Sequence, residues 1–178
     1  CCEAIYFERD KIILRIVELY TDGGASGNPG PGGYGAILKY GKYEKEFSQG
    51  YRMTTNNRME LLAVITGLEA LTKEGLKVRV TSDSKYVVDA VKKGWLFNWE
   101  KKRFAKAKNS DLWKRFMKIY QKHQVEMVWV KGHDGHEMNE RADRLAVEAY
   151  QESGLLVDTW YEENVLGNQG SEQQGFPY

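Results

Sequence analysis

Four carboxylates stand where the surrounding residues call for packing. Asp22 closes a β-rich stretch in which Val17, Leu19 and Tyr20 have the pattern of buried positions, and Asp83 closes another after Val78 and Val80. Glu60 lies on one helical stripe with Val64, Leu68 and Leu71, and Asp143 borders the stripe of Ala142, Leu145, Ala146 and Ala149. Taken singly, such an Asp is a turn or cap residue and such a Glu an edge residue. Four on four different elements point to a cluster, and clustered like charges cost several kcal/mol unless something neutralises them. A hard divalent cation does so. Oxygen donors without a Cys/His ligand set favour Mg²⁺ or Mn²⁺ over zinc. No Ser/His/Asp or Cys/His pattern competes as a nucleophilic site.

The elements that must carry these acids follow from periodicity and turn signals. Strands are expected over 17–22, 34–40 and 43–51, the last two joined at Gly41-Lys42 as a hairpin, with a run of turn residues over 23–33. Thr55-Asn56-Asn57 offers a cap for a helix over 58–73, which Gly75 stops. A strand over 77–83, a helix over 84–93, a helix over 112–123 capped by Asp111, a strand over 125–131, a loop over 132–138 and a helix over 139–152 complete the order. Leading antiparallel strands followed by crossover units predict an α/β fold: a five-stranded mixed sheet with helices on both faces. Residues 16–153 form the expected catalytic domain, 1–15 an N-terminal extension, and 154–178 an acidic tail without periodicity, expected to be mobile.

Composition narrows the classes further. The chain has 178 residues, 42% apolar and 29% charged, which suits one globular domain and excludes a mostly disordered chain. No apolar run approaches the ~18 residues of a membrane span, and no signal-peptide pattern is visible, so a cytoplasmic monomer is expected. Cys1 and Cys2 adjoin at the terminus, which argues against a disulfide scaffold and a zinc module. Net charge is only +1, but it is segregated. Residues 92–122 hold eleven Lys/Arg against two acids, and residues 148–178 hold six acids and no Lys or Arg. Within the basic run Trp95, Trp99 and Phe104 interleave with Lys101, Lys102, Arg103, Lys106 and Lys108, a pattern suited to a polyanion.

Six strings occur in one order: YTDGG from Tyr20, GNPGPGGYGA from Gly27, TTNNRME from Thr54, TSDS from Thr81, WVKGH from Trp129 and NERAD from Asn139. Together they resemble bacterial-type type 1 ribonuclease H over about residues 17–152, with a fading echo at Asp158-Thr-Trp-Tyr. The resemblance implies the ribonuclease H-like fold and a four-acid site on Asp22, Glu60, Asp83 and Asp143 that holds two Mg²⁺ ions, with Mn²⁺ a substitute. It implies hydrolysis of the RNA strand of an RNA–DNA hybrid to 5′-phosphate and 3′-hydroxyl ends, with no protein or membrane partner. His133 then serves proton transfer or product release, and His136 is structural. Asn28, Asn56 and Asn57 would contact the minor groove, and Thr55 and Asn109 a DNA phosphate. Trp95, Trp99, Lys101, Lys102, Arg103 and Phe104 correspond to the basic protrusion that grips the DNA strand. Lys85 departs from the pattern by replacing a glutamine common in the family, and Met53 stands where an arginine is sometimes found. Two other readings are a catalytically inactive nucleic-acid-binding module and a related nuclease acting on DNA. The complete set of acids with His133 speaks against the first. The Asn56-Asn57 pair and the basic aromatic segment speak against the second.

Overall fold

The computed structural model describes residues 16–168. Alternating burial makes a strand of β1 (Ile16–Ala25), which pairs antiparallel with β2 (Gly30–Tyr40); β2 in turn pairs antiparallel with β3 (Tyr43–Thr54). On its other side β1 pairs parallel with β4 (Lys77–Ser82), and β4 with β5 (Gln124–Trp129). The sheet order is therefore β3-β2-β1-β4-β5, the expected five-stranded mixed sheet. Five helices of seven residues or more accompany it among the described residues: α1 (Asn56–Glu69), α2 (Lys85–Lys92), α3 (Trp95–Lys101), α4 (Ser110–Tyr120) and α5 (Glu137–Gln151).

The main core lies between α1 and the sheet. Leu19, Val78 and Val80 meet Leu61, Val64, Ile65 and Leu68, and Trp113 and Phe116 of α4 close the far side. Because α1 is wedged between the sheet and α4, it is apolar along its middle, and its polar groups gather at its ends, Asn56 to Glu60 at the start and Glu69, paired with Arg115, at the finish. The opposite face of the sheet receives α5. Gly35 is required there: a Cβ would collide with the Ala142 carbonyl of α5.

Three boundaries differ from the sequence expectation. The glycines within 23–33 are mostly strand, and only residues 26–29 turn, because a helix backbone presses on the sheet at Gly23 and at Gly33. Thr55 alone is the side-chain cap of α1, accepting from the Arg58 N–H, and that helix ends at Glu69. Asp111 does not cap α4. Asn109 occupies that position in the left-handed region, while the Asp111 carboxylate is committed to Arg58.

The larger correction concerns the acidic tail. Its described part, up to residue 168, is docked. Leu156 exchanges backbone hydrogen bonds with β3, donating to the Gly50 carbonyl and accepting from Arg52 N–H, each at 2.9 Å. Asp158 is buried, accepts from Arg58 Nε at 2.6 Å and from Thr54 Oγ1 at 2.9 Å, and caps the short turn Thr159–Tyr161. Arg58 is only 1% exposed; it also holds Asp111 at 2.8 Å and lies 5.0 Å beneath the Trp160 ring. The tail was expected to be mobile because composition sees acids without periodicity. It docks because one of those acids neutralises an arginine buried a hundred residues earlier. The expected extension at 1–15, with Cys1 and Cys2, and residues 169–178 lie outside the described residues.

Removing Asp158 leaves Arg58 paired with Asp111 but takes the acceptor from the buried Arg58 Nε and Thr54 hydroxyl, at about 1–3 kcal/mol for such a group. Asp158→Ala should therefore lower unfolding stability by about that amount in urea titrations. A loss below about 1 kcal/mol would show that the strap is not an integral part of the fold.

Candidate active site

The end of β1, the start of α1, the end of β4 and α5 bring the four acids to one edge of the sheet. Asp22 lies six residues into β1 and pairs across the sheet with Gly35 beneath α5, the helix that carries Asp143. Glu60 reaches the same edge from α1. That helix approaches β1 so closely that a Cβ on Gly23 would overlap the backbone at Met59 and Glu60. Asp83 follows the last residue of β4. Its backbone carbonyl accepts from Trp129 Nε1 at 2.9 Å, and the Lys85 ammonium lies 5.0 Å over the same indole.

Electrostatics shows that the acids share one field. The Asp22 carboxyl is 8% exposed, and its pKa is pushed up to about 8. Burial is the largest cause, followed by the Asp83 charge. The Gly23 N–H, donating at 2.7 Å, opposes the rise, and Asp143 and Glu60 add to it. Burial also lifts Glu60, to about 7, against the Ser84 hydroxyl that donates to its Oε2 at 2.5 Å, with Asp83 raising it further. The side chains nonetheless stand apart: among the described residues no three His, Cys, Asp or Glu converge closely enough to hold one ion as they are placed. The donor chemistry fits a hard divalent cation, since every acid offers oxygen and Asp22 and Glu60 are held in a field that penalises their charge.

His133 is exposed, at φ 54°, in the loop after β5. The loop comes to the acids through Gly132, where a Cβ would meet Asp83 Oδ2. His136 has the structural place expected of it: its Nδ1 accepts from Asn139 N–H and caps α5.

Several expected substrate residues cluster next to the acids. Asn28 Oδ1 accepts from Asn56 N–H at 3.0 Å, and Asn56 Oδ1 accepts from Ala25 N–H at 2.6 Å, tying the β1–β2 turn to the start of α1. Both carboxamides keep their NH₂ groups for a ligand. Asn57 is exposed one residue on, and Thr55 and Asn109 flank Arg58.

The basic segment divides in two. Lys101, Lys102 and Arg103 are exposed, and Trp95 is 42% exposed beneath the Lys93 ammonium. Phe104, expected to contact substrate, is instead a core residue, because its left-handed backbone at φ 57° turns the ring inward. Trp99 is half-buried against Trp113, with ring centroids 5.3 Å apart. Sequence reasoning missed Ser84, Arg58, Tyr86 and Asp158. Arg58 and Asp158 were signalled only by a basic residue at the head of an apolar helix and an acid in the echo at 158–161.

The sheet order, with carboxylates gathered at the ends of its central strands, defines an α/β fold of the ribonuclease H-like class. The RNase H family matches residues 15–151. A protein of Rippkaea orientalis named Ribonuclease H is 53% identical over 153 residues, covering 82% of this chain and 92% of its own. One of the same name from Proteus mirabilis is 52% identical over 83% of this chain and 94% of its own. Among solved structures, LC9-RNase H1, a type 1 RNase H with the type 2 active-site motif, is 33% identical and superposes with a TM-score of 0.70 over 88% of this chain and 84% of its own. LC11-RNase H1, solved in complex with RNA/DNA hybrid, is 30% identical, with a TM-score of 0.56 over 76% of this chain and 96% of its own. The chain belongs to the RNase H family, in its bacterial type 1 branch, whose members are in general divalent-metal dependent.

A carboxyl whose pKa is raised on folding favours the folded state while protonated. Its contribution is complete below the ordinary carboxylate pKa and is lost as pH rises through the folded value. With divalent ions chelated, the Tm should therefore fall between about pH 4 and pH 8. Asp22→Asn should flatten that fall and give the more stable protein at pH 8. Parallel Tm profiles for the two proteins would remove the repulsive cluster from the account.

Proposed function

We propose that this ribonuclease H cuts the RNA strand of RNA–DNA hybrids at the Asp22, Glu60, Asp83 and Asp143 edge, leaving 5′-phosphate and 3′-hydroxyl ends. The observation that carries the reading is the gathering of acids from four elements, where burial first and then the Asp83 charge raise Asp22 to about 8 and Glu60 to about 7. These four residues would hold two Mg²⁺ ions, with Mn²⁺ a substitute. When bound, the ions lower the pKa of water and stabilise charge on a departing 3′-oxygen. The chain supplies the rest. Ser84 orients Glu60, Trp129 fixes the backbone at Asp83, and Gly132 brings the histidine loop alongside. His133, exposed on that loop, exchanges a proton with solvent or product.

Substrate discrimination falls to the carboxamides. Asn28 and Asn56 spend their oxygens on backbone N–H groups, so each presents NH₂ donors suited to minor-groove acceptors and the 2′-hydroxyl, with Asn57 beside them. Thr55 and Asn109 receive a DNA phosphate. Lys101, Lys102 and Arg103, with Trp95, hold more distant backbone by charge. The RNA/DNA hybrid bound to LC11-RNase H1 supports this substrate class. Among the described residues no helix is long and apolar enough to cross a membrane.

Labelled hybrid with Mg²⁺, beside duplex DNA and duplex RNA, tests the reading. Asp83→Asn should abolish cleavage while hybrid binding persists, and turnover within tenfold of the parent would overturn the site assignment. His133→Ala should lower kcat by ~10²–10⁴-fold without abolishing it; an unchanged kcat would return His133 to the ordinary loop histidines. Replacing Lys101, Lys102 and Arg103 by Ala should raise KM at nearly constant kcat and make the log-affinity against log-salt slope shallower by up to ~2–3 units. A parental KM and slope would show these cations to be a solvated face.

A further inference from the structure

Asn109 is held in an unusual way. It occupies the N-terminal position of α4 in the left-handed region, φ 56° and ψ 38°, yet its side chain makes no bond to that helix. The carboxamide is gripped at both ends instead. Its Oδ1 accepts from Arg58 Nη1 at 3.4 Å, and its Nδ2 donates to the Tyr86 hydroxyl at 3.1 Å. Arg58 does not tolerate the reversed amide, and Tyr86 anchors the nitrogen end of the one that Arg58 selects. A guanidinium only donates, so the oxygen must face Arg58. The Tyr86 oxygen already accepts from Trp113 Nε1 at 2.8 Å, and its remaining lone pair faces the Asn109 nitrogen.

Arg58 cannot itself turn to an incoming anion. Its donors are committed to Asp111 at 2.9 and 2.8 Å and to Asp158 at 2.6 and 2.9 Å, and the side chain is buried. It serves as a fixed, neutralised donor whose direction is set by the tail strap on one side and the first turn of α4 on the other.

We propose that Arg58, which fixes the polarity of the Asn109 carboxamide, and Tyr86, which anchors its nitrogen, are positioning residues that keep the second hydrogen of its NH₂ group free and aimed for a phosphate of the DNA strand. This rests on the reading of Asn109 and Thr55 as a phosphate contact. A phosphate diester only accepts hydrogen bonds, so an amide free to flip would present its oxygen part of the time and repel the ligand. Thr55 is arranged alike: its oxygen accepts from the Arg58 N–H at 3.4 Å, which leaves the hydroxyl hydrogen to donate. Tyr86 also links this pocket to the basic segment, since the Trp113 indole it receives packs against Trp99.

The test is a double-mutant cycle on hybrid cleavage by the full chain with Mg²⁺, using Tyr86→Phe, Asn109→Ala and both together. All four proteins are assayed at a temperature where circular dichroism shows them folded, because Tyr86→Phe leaves the Trp113 indole unpaired. Asn109→Ala should raise KM about tenfold or more, the scale of one hydrogen bond to a charged group, and make the salt slope shallower by ~0.9, one phosphate contact. Tyr86→Phe should raise KM about threefold in the parent and leave it unchanged in the Asn109→Ala background, because it acts only through that amide. An equal rise in both backgrounds, or a parental KM for Tyr86→Phe while Asn109→Ala is impaired, would overturn the positioning role. If neither single variant moves KM or the salt slope, the phosphate reading of Asn109 fails, and the positioning role fails with it.

Discussion

Mutual repulsion among four partly desolvated carboxylates is the constraint that the rest of the structure accommodates. Asp22 and Glu60 are driven toward their neutral forms by burial and by Asp83, so this edge of the sheet opposes folding whenever the acids are charged and uncompensated. What holds them there is rigid. The acids sit on strand ends and helices rather than on free loops, and α1 is packed on almost every side. Close backbone approaches at Gly23 and Gly132 leave no room for the edge to relax. A divalent cation would turn the same arrangement from a liability into a binding site, because its charge would offset the burial and repulsion that raise the carboxyl pKa values.

The opposite electrostatic solution appears a short distance along α1. Arg58 is as buried as any apolar core residue but is bracketed by Asp111 and Asp158 and covered by Trp160 and Tyr161, and its pKa is raised because the two carboxylates outweigh burial. A paired buried charge of this kind fixes geometry more than it adds stability. Here it joins β3, α1, α4 and the C-terminal strap at one point, beside the residues read as substrate contacts. The basic segment is organised on a related plan: Leu96, Phe104 and Trp99 anchor it to the core, and its lysines remain outside.

The five-stranded mixed sheet was legible in the sequence because the crossover pattern admits few topologies, and the four acids stood out as candidates because each interrupts or borders an apolar period. Much of what was not legible depends on contacts between distant residues. The glycine-rich run read as turn is strand because helices press on it. Phe104 read as a ligand contact because an aromatic among lysines looks alike whether it faces in or out, and only a left-handed backbone decides. The tail read as mobile because Asp158 has no periodic company. Its partner lies a hundred residues earlier, and no local pattern reports such a pair.

The central claim is that the charge of Asp22 is suppressed by burial and by its acidic neighbours and restored by a divalent cation. Carbon-13 NMR of the Asp22 carboxyl, followed through pH with divalent ions chelated and again with Mg²⁺, measures this directly. The expected result is a midpoint near 8 without the cation, and one at or below the ordinary carboxylate range of about 4 with it. A midpoint near 4 in both conditions would contradict the claim, and so would a midpoint near 8 that Mg²⁺ does not move.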